Sequence, residues 1–447
     1  MTKNNAAATT VMIDGYNLAL ETGTGVATYA RNLSYACRDL GYRTEILYGR
    51  SIGRRRSSLL TEVSFFDTEF PPDWIDKIID EIKRHIPRPL GMGSFPIPVT
   101  GDVMLRSLQS RMPHFDRLRN ARDVFSTAAR SFDLWSNLTK VRNPGPVGIM
   151  HWTYPFPLRM SGARNIYTLH DLVPLRLPYT TLDKKSSYLR LTRKLVKRAD
   201  HIVTVSETSR ADIIKLLGCP PEKVTNTYQS VTIPKPYLDK PVEAIQAEVE
   251  GAFGLPYKGY LLFYGAIEPK KNVGRLIEAY LASGVETPLL IIGSRAWKSD
   301  QELRLMDTAV SRSLQRAYEG RATAADRIHH FNYAPFPLLV SAIRGAKATL
   351  FPSLYEGFGL PVLESMLLGT PVLTSREGAT REIAGEAAVL VDPYNPREIA
   401  SAIHQIDRDQ GLRAKLIFHG QARAAQFSPE RHQERLSILY ESLYRRP

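Results

Sequence analysis

Two glutamates, Glu356 and Glu364, stand eight positions apart and bracket Gly357-Phe358-Gly359-Leu360-Pro361. Pro361 suits the first turn of a helix, where its missing N–H would be unpaired anyway, and Gly369 suits the left-handed position past a helix end. The stretch therefore reads as strand, tight loop, helix, strand, with both carboxylates able to face one small volume. A loop entering a helix N-terminus offers unpaired amides and a partial positive charge, which suits phosphate. Adjacent cations, Lys270 and Lys271, close a second loop, Gly265-Ala266-Ile267-Glu268-Pro269, just before another helical pattern. Two cations there suit a diphosphate leaving group, whose charge grows as a glycosidic bond breaks. Paired carboxylates also admit a double displacement of the kind retaining glycosidases use. The plainer reading is a buried β-α-β unit with solvated glutamates and an ordinary basic turn.

Three weaker groups accompany these. His151 and His170 each end an apolar run, the first followed by Trp152-Thr153-Tyr154-Pro155 and the second by Asp171. For an isolated strand-end histidine a structural role leads. Gly23-Thr24-Gly25 lies at the first strand-to-helix turn, where doubly wound folds bind ligands, although a lone Gly-x-Gly is weak evidence. Gly293-Ser294-Arg295 and Asn332-Tyr333 follow strands in the second half; Arg295 would approach phosphate or base, and Tyr333 would stack or join the core. Asp407-Arg408-Asp409 has the form of a metal motif but falls in a C-terminal helical pattern, and it reads as surface. No metal is expected, since helix dipole and lysines supply the positive charge.

Strands and helices alternate in two series that would position these groups. The first runs from a strand at Val11–Asp14 and a helix from Thr24, through strands at 43–48, 147–151, 166–169 and 199–206, to a helix at 207–217 capped by Ser206 and a last strand at 224–228. Between 51 and 143 the pattern is hard to read; helices are expected at 74–85 and 118–138. The second series places strands at 260–264, 289–292, 328–331, 349–351 and 388–391, with helices at 273–282, 300–318, 337–344 and from 396 to 425. Such alternation predicts parallel sheets covered on both faces. The expected division is a first domain over 1–232, a proline-rich linker with a charged helix fragment over 233–252, a second domain over 253–428, and a final helix, 429–447, crossing back to the first.

A chain of 447 residues with 43% hydrophobic and 23% charged residues is ordinary globular material. Its two cysteines, Cys37 and Cys219, argue against a disulfide framework and fit a reducing cytosol. With no apolar run of spanning length, a cytoplasmic protein is expected, peripheral on the inner face of the plasma membrane. The formal charge of +14 asks for an acidic partner. Basic clusters at Arg54-Arg55-Arg56, at Arg106, Arg111, Arg117, Arg119 and Arg122, and from Lys184 to Arg198 all lie in the first half. They come with no nucleic-acid-binding signature. Anionic lipid is the favoured partner and nucleic acid is not, with solvated helix faces accounting for about half of these residues.

The string Glu356-Gly-Phe-Gly-Leu-Pro-Val-Leu-Glu364-Ser resembles the nucleotide-sugar site of the retaining family 4 glycosyltransferases, which have the GT-B fold of two facing Rossmann-like domains. The resemblance implies a nucleotide-sugar co-substrate and no other cofactor. It assigns Glu356 to the donor sugar, Glu364 to the ribose hydroxyls, and the amides of Gly357, Phe358, Gly359 and Leu360 to sugar and diphosphate. It places Gly25, Gly265, Lys270, Lys271, Arg295 and Tyr333 on the donor side, and His170 across the cleft as a functional residue. Gly23, Thr24, Tyr154 and Asp171 fall on the acceptor side. With Glu364 given to ribose, Glu356 lacks a partner carboxylate, so retention by same-face attack displaces the double displacement. Where many members have arginine after Gly265, this chain has Ala266. That departure resembles a branch containing bacterial mannosyltransferases of O-antigen and exopolysaccharide assembly, which favours a GDP-sugar over a UDP-sugar and a glycan or polyprenyl-linked acceptor. Competing readings are a sugar-nucleotide epimerase or glycosyl phosphorylase on the same fold, and a non-enzymatic basic module.

Overall fold

The structure is a computed structural model, and it describes residues 9–19, 25–55, 57–67, 91–105, 112–296 and 327–445. Gly23, Thr24 and the helices expected at 74–85 and 300–318 lie outside these residues, as do Arg56, Arg106 and Arg111.

Two parallel sheets carry the chain. The first has eight strands in the order Val224–Asn226, His201–Thr204, Arg164–Thr168, Ile149–Trp152, Thr10–Asp14, Arg43–Tyr48, Arg117–Asn120 and Phe95–Ile97, of which the last pair alone is antiparallel. The second has six, in the order Ile328–Phe331, Leu289–Ile292, Leu261–Tyr264, Ala348–Phe351, Val372–Ser375 and Val389–Val391. Its central strands are continuous apolar runs such as Leu261-Leu262-Phe263-Tyr264 and Leu289-Leu290-Ile291-Ile292, buried throughout, as a sheet sandwiched between helices requires. Each sheet has one point where the strand order reverses, and there the loops leaving two neighbouring strands spread apart. In the first sheet these loops follow Asp14 and Trp152. In the second they follow Tyr264 and Phe351, so they are the lysine loop and the Glu356 loop.

Local signals set many boundaries. Ser206 caps the helix Glu207–Leu217 by accepting from the Ser209 amide at 3.0 Å, and Gly218 closes it in the left-handed region. The last helix, Pro429–Arg445, buries Leu436, Leu439, Tyr440 and Leu443, and its Tyr440 hydroxyl meets His151 Nδ1 at 2.7 Å. It lies on the first sheet.

Several expectations need correction. Residues 117–120 form a strand rather than helix, and the helix there is Val124–Trp135. Arg119 is buried and ion-paired to Glu45, so it serves neither a solvated face nor a lipid surface. The expected linker contains the helix Val242–Phe253, whose Ile245, Val249 and Phe253 fall four apart and pack into the hydrophobic core with Tyr260 and Ile343. Asp407 is not surface: it is buried with Lys347 Nζ 2.6 Å away, while Asp409 caps the following helix through the Leu412 amide.

Candidate functional site

The Glu356 loop leaves the strand Ala348–Phe351 and enters the eight-residue helix Leu360–Leu367. Gly359, its N-cap, has φ of +102°, and no side chain caps this end; the Val362 and Leu363 amides turn back to Gly359 O at 3.0 and 3.3 Å. Phe358 turns inward against Phe427, and residues 352–359 of the loop are all buried. The lysine loop runs alongside. Leu354 N donates to Lys270 O at 2.8 Å, and the buried Asn272 amide reaches Pro352 O at 3.0 Å and Pro393 O at 2.7 Å.

These backbone ties bring the charges together. Lys271 Nζ lies 2.6 Å from Glu356 Oε1, and Lys270 Nζ lies 3.4 Å from Glu268 Oε1. Burial alone would drive the Glu356 carboxyl upward, but Lys271 and Lys270 outweigh it and hold the group below the usual carboxylate range. Burial likewise opposes the Lys270 ammonium, and Glu356, Glu268 and Asp171 more than restore it. Glu356 is therefore an anion and Lys270 a cation in a largely water-free setting. Glu364 differs: burial raises its carboxyl, offset in part by the Tyr264 hydroxyl, which donates to Oε2 at 3.1 Å, and by Lys271. Gly265 follows Tyr264 with φ of +128°, and a Cβ on Gly293 would sit 1.9 Å from the Gly265 carbonyl oxygen. Two glycines are thus needed where the lysine loop crosses its neighbour.

The first half of the chain meets this loop directly. A Cβ on Gly357 would lie 2.6 Å from His170 O and 2.8 Å from Asp171 Cβ, and one on Gly25 would meet Leu360 Cδ1 at 3.2 Å. Ser209 Oγ bonds His170 O at 2.9 Å and Gly357 O at 3.3 Å, clipping the two backbones together. His170 donates from Nε2 to Thr153 O at 2.9 Å, and burial lowers its basicity, so the ring is neutral with Nδ1 as its acceptor. Asp171 accepts from the Val173 amide at 3.0 Å. Burial pushes the Tyr154 phenol up to about 12, with Asp183 and Asp171 adding to the rise and Lys270 opposing it.

Other candidates lie farther out. Arg295 is exposed, though its backbone bridges to Ile267 of the lysine loop. Tyr333 is 72% exposed, which removes the core alternative. His151 is fully buried between Tyr440 and Thr168, a structural role. Among the described residues no cluster of three His, Cys, Asp or Glu is arranged for a metal ion.

Sequence reasoning missed several residues that build the site. Asp14, at the end of the central strand of the first sheet, accepts from the Thr153 and Tyr16 amides, and burial raises it to about 6. Glu382 reaches across from the second half to the N-terminus of Glu207–Leu217, accepting from Glu207 N at 2.8 Å, Thr208 N at 2.9 Å and Thr208 Oγ1 at 2.9 Å. Tyr355 donates to Asp212 Oδ2 at 2.5 Å, and Arg176 pairs with the same carboxylate at 3.0 Å. Beside them Val173, Leu177, Leu354 and Tyr355 form a small apolar cluster joining the two halves. The signal for Tyr264 was its place next to Gly265. The cross-cleft partners carry none, because nothing local distinguishes them.

Two family models match the chain: "Glycosyl transferases group 1" over residues 255–423 and "Glycosyltransferase Family 4" over residues 102–231. The O-antigen chain mannosyltransferase B of Escherichia coli is 31% identical over 273 residues, covering 60% of this chain and 67% of that protein. The serotype-specific mannosyltransferase WbdA of Escherichia coli is 27% identical over 284 residues, 62% of this chain but 33% of WbdA, so the match spans about a third of that relative. Among solved structures, HepE of Anabaena in complex with UDP and glucose superposes with a TM-score of 0.62 at 15% identity, covering 97% of this chain and 100% of the other. That likeness concerns the two-sheet GT-B architecture.

Proposed function

This chain belongs to the family 4 glycosyltransferases, and from that membership we propose that it transfers mannose, with retention, from a nucleotide-sugar donor to a glycan or polyprenyl-linked acceptor during bacterial surface polysaccharide synthesis. The observation that carries the reading is the pairing of Lys271 with Glu356, with Lys270 beside them, at the uncapped N-terminus of Leu360–Leu367. Donor diphosphate sits against the amides of Gly357 to Leu360 and draws Lys270 and Lys271 toward it; Glu364, oriented by Tyr264, accepts from the ribose hydroxyls. As the bond to the anomeric carbon breaks, charge appears on the departing phosphate, where the two ammoniums and the helix end stabilise it. Glu356, freed from Lys271, orients the sugar and supports the positive charge developing at its anomeric carbon. The acceptor hydroxyl attacks from the leaving-group face and passes its proton to the departing phosphate, with His170 Nδ1 available to a sugar hydroxyl. No metal is required in this scheme.

The names of the mannosyltransferase relatives support mannose, and Ala266 in the lysine loop supports GDP over UDP. A thermal-shift screen against GDP, UDP and ADP tests the donor, since a ligand bound to the folded state alone raises its stability. GDP is expected to give the largest shift; no shift with any nucleotide would overturn the donor-site reading. Incubation with donor alone separates transfer from epimerisation, because an epimerase converts the donor without acceptor.

A further inference from the structure

The helix Val124–Trp135 buries Val124, Phe125, Ala128 and Phe132 and then stops, Ser136 taking a left-handed conformation with φ of 53°. At its tip Leu134 and Trp135 stand 68% and 58% exposed. Nothing in the packing of this helix calls for two large apolar side chains in water at that point. The neighbouring surface is the helix Lys185–Arg198, held against the tip by three contacts: Ser187 Oγ to Asp133 Oδ1 at 2.8 Å, Arg190 Cζ 5.4 Å over the Phe132 ring, and Lys194 Nζ on the Ser136 carbonyl. Arg190, Arg193 and Lys197 are exposed there, and Arg130 is exposed one turn before Leu134. Asp133, beside the apolar pair, is engaged by Ser187 and, at 3.9 Å, by Arg190.

We infer that the Leu134–Trp135 tip and the basic face of Lys185–Arg198 form a docking surface for an anionic lipid bilayer. Basic side chains draw the surface to anionic headgroups, and an exposed tryptophan beside leucine fits the boundary between headgroup and acyl chain. A solvated basic helix explains the cations but not the apolar pair. A nucleic-acid groove would want aromatic rings interleaved with cations along a track, whereas here the apolar pair sits at a projecting corner. The face adjoins the cleft: Tyr188, on the same basic helix, donates to Asp171 O at 3.1 Å. A bilayer held there presents a lipid-linked acceptor to the side of the cleft that the proposed function assigns to it. The inference rests on that reading only for its purpose, since docking needs no donor.

The test is sedimentation of the full chain with vesicles of phosphatidylcholine, alone or mixed with an equal part of phosphatidylglycerol. The parent is expected to pellet with the mixed vesicles and not with phosphatidylcholine. Reversing two cations, Arg193→Glu with Lys197→Glu, should weaken partitioning about thirtyfold or more, and Leu134→Ser with Trp135→Ser about tenfold. Unfolding temperature and the nucleotide-induced shift should stay unchanged in both, so loss of docking and failure of the donor-site reading remain distinguishable. Trp135→Phe should keep binding while losing most of the fluorescence quenching by brominated lipid. Vesicle binding unchanged in both double variants would overturn the assignment. So would binding that heparin abolishes and that ignores Leu134 and Trp135, which would mark a general polyanion face.

Discussion

Lys271 Nζ and Glu356 Oε1 stand 2.6 Å apart, in a place where neither charge has enough water to stand alone. The pair joins the two loops at the switch point of the second sheet, so each partner's removal has two consequences. Glu356→Ala is expected to lower turnover about 10²- to 10³-fold, the usual range for one preorganised electrostatic group. It also strands a buried ammonium. A double-mutant cycle with Lys271→Ala should therefore return a coupling energy of about 1–3 kcal/mol in denaturant unfolding. Transfer by Glu356→Ala within threefold of the parent would remove this glutamate from the mechanism.

Gly357 has no room for a methyl group, because His170 O and Asp171 Cβ lie where its Cβ would be. Gly357→Ala must push the Glu356 loop off the first half of the chain, and transfer is expected to fall about 10²-fold, the effect of misplacing reacting groups by roughly an ångström. Nucleotide affinity should fall less than transfer, because the loop amides assigned to the diphosphate shift while Glu364, in the helix Leu360–Leu367, keeps its Tyr264 partner. Gly251→Ala is the control: it lies in the helix Val242–Phe253 with open space around it, and should stabilise by about 0.5–1 kcal/mol. Calorimetric titration of GDP alongside transfer kinetics separates these outcomes.

Much of this site was legible because its signals are local. The helices Val273–Ala282 and Glu207–Leu217 and the strand Arg43–Tyr48 follow from apolar periodicity and a serine cap. The strand Arg117–Asn120 was not legible: its buried Arg119 looks like a surface residue until Glu45 is brought against it from another strand. The helix Val242–Phe253 reads as a charged fragment of a linker, and its packing into the core was not legible because only three buried positions, Ile245, Val249 and Phe253, mark its inner face. The short helix Gly378–Ala384, which carries Glu382, went unread for the same reason. What escaped wholly were cross-cleft partners such as Asp212 and Glu382, since such pairings exist only once the two halves have folded and met.

Glu382 is the plainest of these partners, a carboxylate from one half capping a helix of the other. Glu382→Ala removes an acceptor from two helix amides and is expected to cost about 1 kcal/mol, a typical loss for a helix cap. Its larger effect should fall on the alignment of the halves. The donor-concentration dependence of transfer should hold while kcat drops several-fold, and Glu382→Gln, which keeps an acceptor, should recover part of the loss. Equal kcat in parent and Glu382→Ala would show that the contact does not guide alignment.

Two buried histidines tie stability to pH. Burial lowers His151 to about 3 and His432 to about 4, against 6.5 for the free side chain. Both lie where the last helix meets the first sheet: His151 bonds Tyr440, and His432 Nδ1 donates to Thr227 O at 3.2 Å. Well above pH 6.5, from about pH 7.5 upward, the rings are neutral in folded and unfolded chains alike and contribute almost no pH dependence. As pH falls below that value the unfolded chain takes up protons that the folded chain refuses, so stability drops, most steeply between 6.5 and about 4. His432 alone should account for about 2 kcal/mol of lost stability between about pH 7.5 and about pH 5. His432→Gln, which can still donate to Thr227 O, should remove that share of the acid sensitivity while keeping the helix docked. Urea unfolding of both proteins at the two pH values measures it; equal pH dependence in parent and variant would mean that His432 is not the group that titrates.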